Sequence, residues 1–154
     1  MHTLPAPPFK GMGKLIHIAA WAILFGLPFF FTGRESQTVT VLSYVRSMIV
    51  PLSFMLVFYA NYFVLIDHFL FAKRPWKFLL CNVVLIAASM GAVHLMFELL
   101  PHPEWEHPRP EREWQETVGF FMVNAMLYML VAGLSVAIKM TGSWYQMESS
   151  RREL

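Results

Sequence analysis

Apolar residues run almost unbroken over 15–31, 48–66, 78–100 and 118–138, and short polar segments separate the four runs. The runs are 17, 19, 23 and 21 residues long. A bilayer core takes roughly 20 helical residues to cross. None of the runs alternates with the period of a strand, and backbone groups in hydrocarbon are satisfied only in helices or closed barrels. The pattern therefore predicts four transmembrane helices. Pro28 predicts a kink or an end in the first, and Pro51 falls in the first turn of the second, where proline costs little. Residues 44–47 extend the second helix outward. So little chain lies between the runs that no soluble domain fits.

Composition agrees with this reading. Of 154 residues, 56% are hydrophobic and 14% charged, where a soluble domain carries about 25% charge. One all-α bundle is the natural unit. Cys81 is the only cysteine, which excludes an internal disulfide and any CxxC motif. Lys10 and Lys14 precede the first run as in a signal peptide. That run is longer than a signal peptide's apolar region and no small-residue cleavage pattern follows it. The first helix is read as retained.

Charge sets the expected orientation. Lys10, Lys14, Lys73, Arg74, Lys77, Lys139, Arg151 and Arg152 fall on one side, and Arg34, Arg46, Arg109 and Arg112 on the other. The positive-inside rule then places both termini of a multi-pass membrane protein in the cytoplasm. The acidic residues lean outward, as Glu35, Glu104, Glu106, Glu111, Glu113 and Glu116 do. The proline-broken loop PHPEWEHPRPEREWQE is the only sizeable connection, so it is the surface expected to meet something outside.

Ionisable groups within spans are costly and mark function by default. His94 and Glu98 lie one turn apart on the third helix, on a face that Gly91 and Ala87 continue, so both are expected to point into the bundle. Arg46 is the expected counter-ion. A pair that fixes packing and a sensing site for a ligand, proton or metal are both open. His94 and Glu98 with the loop residues His102 and His107 compose a metal set in chemistry but lack a motif such as HExxH. No cofactor is expected. His17, Asn61 and Asn82 fall at similar depth and are expected to hydrogen-bond between helices. His17 and His94 fall at opposite depths, which disfavours a haem between them. Asn124 and Tyr128 share a face of the fourth helix. No GxSxG, P-loop or dinucleotide fingerprint occurs.

The fourth helix is expected to continue beyond the membrane. AIKMTGSWYQMESSRREL holds no proline and carries mixed charge, with Gly142 as a weak point. FYANYFVLIDHFLF (58–71), KRPWKFLL (73–80) and this last segment resemble the membrane sensor region of LytS/YehU-like bacterial sensor histidine kinases, in the short four-helix form common in Bacteroidetes. Asn61 and Tyr62 match the family's aromatic-Asn-Tyr-Phe helix end. Lys139, Trp144 and residues 151–154 match the start of its signalling helix.

The resemblance implies a cytoplasmic N-terminal segment (1–14), a sensor domain (15–138) and the start of a signalling helix (139–154). It implies a homodimer that relays a signal through helix 4 to a kinase domain in cis, and through it to a response regulator. The family's phospho-acceptor stretch, of the kind INPHFLFN, and its ATP-binding domain are absent from these residues. His68 lacks that motif, so no kinase activity is expected of this chain. A membrane scaffold is the runner-up. A small metal-binding membrane protein or transporter using His94, Glu98 and the loop histidines is the third class. The lipid bilayer is a partner in every reading, and nucleic acid in none.

Overall fold

The computed structural model describes residues 12–32, 40–101 and 113–154, with the side chains of 12, 27, 28 and 30–32 left aside. Among these residues every regular element is helical. Helix α1 is Met12–Thr32, α2 is Val41–Ala60 and continues as a π-helical segment Asn61–Leu70, α3 is Pro75–Leu99, and α4 is Trp114–Glu153. Val41–Leu70, Pro75–Leu99 and Trp114–Glu153 are long and apolar enough to cross a membrane. In the first helix the corresponding apolar stretch is Gly13–Gly26. The proline-broken loop, with His102, His107, Arg109 and Arg112, lies outside the described residues, as do Lys10, Arg34 and Glu35.

The helices overrun the apolar runs because helix ends follow backbone hydrogen bonding, not hydropathy. Helix α1 passes through Pro28 to Thr32 and is not ended there. Helix α2 starts seven residues before the apolar run, so Pro51 is interior and not in the first turn. An interior proline removes the bond to the carbonyl four residues back. Pro51 is also the last residue of the first of two compact units, Met1–Pro51 and Leu52–Leu154.

In the first unit, Tyr44 Oη donates to the Phe25 carbonyl at 3.3 Å, and the Phe29 and Tyr44 rings lie 4.9 Å apart. Met48 and Ile49 are buried there.

The second unit is built by α2 from Leu52 onward, α3 and α4. A turn at 71–74 joins α2 to α3, with Lys73 in the left-handed region at φ 57°. Such a tight connection sets α3 antiparallel to α2. Two contacts orient α4: Ser53 meets Tyr128, and Asp67 meets Lys139. Both numbers rise together, so α4 runs parallel to α2. Val57, Ile86, Tyr128 and Ala132 form the core, with Phe54, Leu85, Met90 and Val131 packed against it. Burying each large apolar side chain contributes about 1.5–3 kcal/mol relative to water; in lipid the gain comes from close packing instead.

The π-helical segment changes which residues face inward. Phe71 N–H donates to the Ile66 carbonyl at 2.9 Å and Arg74 N–H to the Phe69 carbonyl at 2.8 Å, each spanning five residues. Asn61 and Ile66 are five apart and both fully buried. At about 3.6 residues per turn, positions five apart diverge; the wider π turn keeps them on one face. Such segments are rare and occur often at functional sites.

Candidate functional site

A polar face of three helices

Polar residues sit above and below the apolar centre of the second unit. With Val57, Ile86 and Ala132 level, the register puts Ser53, Ser89 and Tyr128 on one side of them. It puts Asn61, Asn82 and Ser135 on the other. All six are buried. Ser53 Oγ and Tyr128 Oη are 2.6 Å apart, a hydrogen bond across α2 and α4. The Phe54 ring lies 4.7 Å from the Tyr128 ring and tilted to it. The amphipathic Tyr128 thus satisfies its hydroxyl while its ring packs.

Asn61 and Asn82 are both buried in this unit but do not hydrogen-bond between helices. Asn61 Nδ2 donates to the Val57 carbonyl at 2.9 Å, and Asn82 Nδ2 to the Phe78 carbonyl at 3.1 Å, each on its own helix. Their Oδ1 atoms, and Ser89 Oγ, are buried without a protein partner. Ser135 Oγ donates to the Ala132 carbonyl at 2.6 Å. A side chain that bonds back one turn satisfies its donor locally and leaves its acceptor facing the core. His17, expected at the same depth, is half-buried on α1 in the first unit.

One cluster ties α4 to the π-helical segment. Lys139 Nζ donates to Asp67 Oδ2 at 2.8 Å and to the Tyr62 carbonyl. It also stands 5.0 Å from the centre of the Tyr62 ring. The Lys139 side chain is 18% exposed and that of Asp67 48%. Asp67 is the only aspartate in the chain. Tyr62 is held in turn by a stack on Phe58, with centroids 5.9 Å apart. A lysine with a carboxylate, a carbonyl and a ring face has its charge met on three sides. The sequence reading missed Asp67, because pairs 72 residues apart leave no spacing signal. A lone acid near the end of an apolar run, opposite a lone lysine at the end of another, was the available hint.

His94 and Glu98 stand elsewhere. Their nearest atoms are 3.5 Å apart, and the side chains are 66% and 68% exposed. Both are exposed on the second unit, away from its buried core. The inward face of α3 is Asn82, Ile86 and Ser89, and Ala87 and Gly91 are exposed with them. A Cβ at Gly91 would meet no described atom within 4 Å. Arg46 is half-buried on the part of α2 in the first unit. Asn124 is half-buried one turn before Tyr128, with Nδ2 on the Phe120 carbonyl at 2.8 Å. The two therefore share a face, as the spacing predicts.

Among the described residues no group of three or more His, Cys, Asp or Glu side chains converges on a point where a metal would bind. Two of the four residues in the metal set, His102 and His107, lie outside them.

Helix α4 runs forty residues without interruption, through Gly142 to Glu153. At 1.5 Å per residue that is about 60 Å, roughly twice a hydrocarbon core. Beyond Lys139 nearly all its side chains are exposed. Arg152 Nε and Glu148 Oε1 pair at 3.2 Å along it. No protein-family model, curated protein or solved structure matches this chain.

Proposed function

We propose that this chain is the membrane sensory region of a two-component histidine kinase, in which α4 carries the signal to a cytoplasmic kinase domain. The observation that carries the reading is the continuous α4, which joins a three-helix core holding buried polar residues to an exposed rod. A stimulus that binds two arrangements of the core unequally shifts their populations. A helix without a break passes a rotation or shift along its length. Lys139 sits where the rod leaves the core, so its grip on Asp67 and Tyr62 sets how α4 lies at that point. The proposed assembly is a homodimer with both N- and C-terminal ends inside, in a bacterial inner membrane. The resemblance of 58–80 and 137–154 to LytS/YehU-like sensors supports the same reading.

The test is made on the product of the native gene. Affinity isolation from membranes, followed by intact mass and radiolabelled ATP, is expected to give a chain larger than 17.8 kDa that phosphorylates itself on histidine. A native product of this size, with no kinase bound to it and no label, overturns the proposal.

A further inference from the structure

The end of the turn between α2 and α3 and the first residues of α3 carry three cations and a tryptophan in five residues, Lys73-Arg74-Pro75-Trp76-Lys77. All five are exposed, Trp76 at 81%. The turn joins two helices that are long and apolar enough to cross a membrane. It therefore lies where hydrocarbon gives way to headgroups, whichever face of the membrane that is. Asp67, the nearest acid in sequence, is engaged by Lys139. Among the described residues no carboxylate pairs with Lys73, Arg74 or Lys77. Lys73 at φ 57° turns the chain so that Pro75 opens α3. The first helical bond there runs from Phe78 N–H to the Arg74 carbonyl. No side chain caps the helix start, so the amides of Trp76 and Lys77 add positive potential beside the three side chains.

From this placement we infer that the 73–77 turn binds the phosphate headgroups of anionic phospholipids, with Arg74, Lys73 and Lys77 on phosphate oxygens and Trp76 seated among the glycerol esters. Depth selects the occupant. A phosphate fixed in the headgroup plane stands level with the turn, whereas soluble phosphate has no such enrichment. Clustered basic residues beside a span attract anionic lipid, each cation adding to the effect. An exposed indole suits the same boundary. The inference needs only the two spans and does not depend on signalling.

The experiment uses the whole chain in bilayers, with W21F, W105F, W114F and W144F leaving Trp76 as the reporter. Brominated phosphatidylglycerol, as a minor component, is expected to quench Trp76 about threefold more than brominated phosphatidylcholine at the same fraction. Millimolar inorganic phosphate leaves that difference in place. The variant K73Q/R74Q/K77Q removes it, while K73R/K77R and R151Q/R152Q keep it, with unchanged helical circular dichroism in all. Equal quenching by the two lipids overturns the inference. So does a difference that survives K73Q/R74Q/K77Q, or one that inorganic phosphate abolishes.

Discussion

Lys139–Asp67 and His94–Glu98 are two acid–base pairs on apolar helices, and they differ in what they join. The first spans α2 and α4 at 2.8 Å and is reinforced by a backbone carbonyl and a ring. The second spans one turn of α3 at 3.5 Å and is mostly exposed. A pair four residues apart forms wherever a helix forms, so it says nothing about neighbouring helices. A pair 72 residues apart forms only when two helices pack in one register. The fold is therefore constrained by the first pair and indifferent to the second.

The largest expected effect is on Lys139. Lys139→Met leaves the Asp67 carboxylate unpaired and removes the second bond to the Tyr62 carbonyl. Breaking a fully buried pair costs 3–5 kcal/mol; the half-exposed Asp67 reduces this to about 2 kcal/mol. Unfolding of the purified chain in mixed micelles, followed by circular dichroism, measures it. A loss as small as that of a surface lysine contradicts the assigned role. Asp67→Asn keeps the shape and loses the charge, so about 1 kcal/mol is expected.

Tyr128→Phe follows. It removes the 2.6 Å bond between Ser53 and Tyr128, and interhelical hydrogen bonds in membranes average about 0.6 kcal/mol. A loss near that value is expected. Asn61→Leu and Asn82→Leu test the opposite sign. Each removes a buried acceptor that has no protein partner, so stability is expected to be unchanged or raised by about 1 kcal/mol. A large loss instead means that the Oδ1 atoms are satisfied by something bound in the core. The smallest effect belongs to His94→Ala and Glu98→Gln, each within about 0.5 kcal/mol.

The contrast also explains what was legible in the sequence. Helix α3 is predicted at 78–100 and found at 75–99, because apolarity and helix nearly coincide there and Pro75 starts it cleanly. Helix α2 is predicted at 48–66, yet it begins at Val41 and its helical backbone ends at Leu70. The polar stretch 44–47 extends the helix as expected, and the helix runs three residues further back, to Val41. The π-helical geometry of 61–70 left no trace, since bonds five residues apart have no compositional signature. For the polar residues, type and burial were readable in part but direction was not. Asn61 and Asn82 are buried as depth suggests, but each donates to its own helix. His94 and Glu98 are paired as spacing suggests, but on an exposed face of α3.

A double-mutant cycle on Asp67 and Lys139, with a parallel cycle on His94 and Glu98, tests most directly whether α4 is held at the mouth of the three-helix core. The account predicts a coupling of about 1 kcal/mol for Asp67→Asn with Lys139→Met, well above the second cycle's few tenths. Additive losses for Asp67 and Lys139, or stronger coupling between His94 and Glu98, would contradict it.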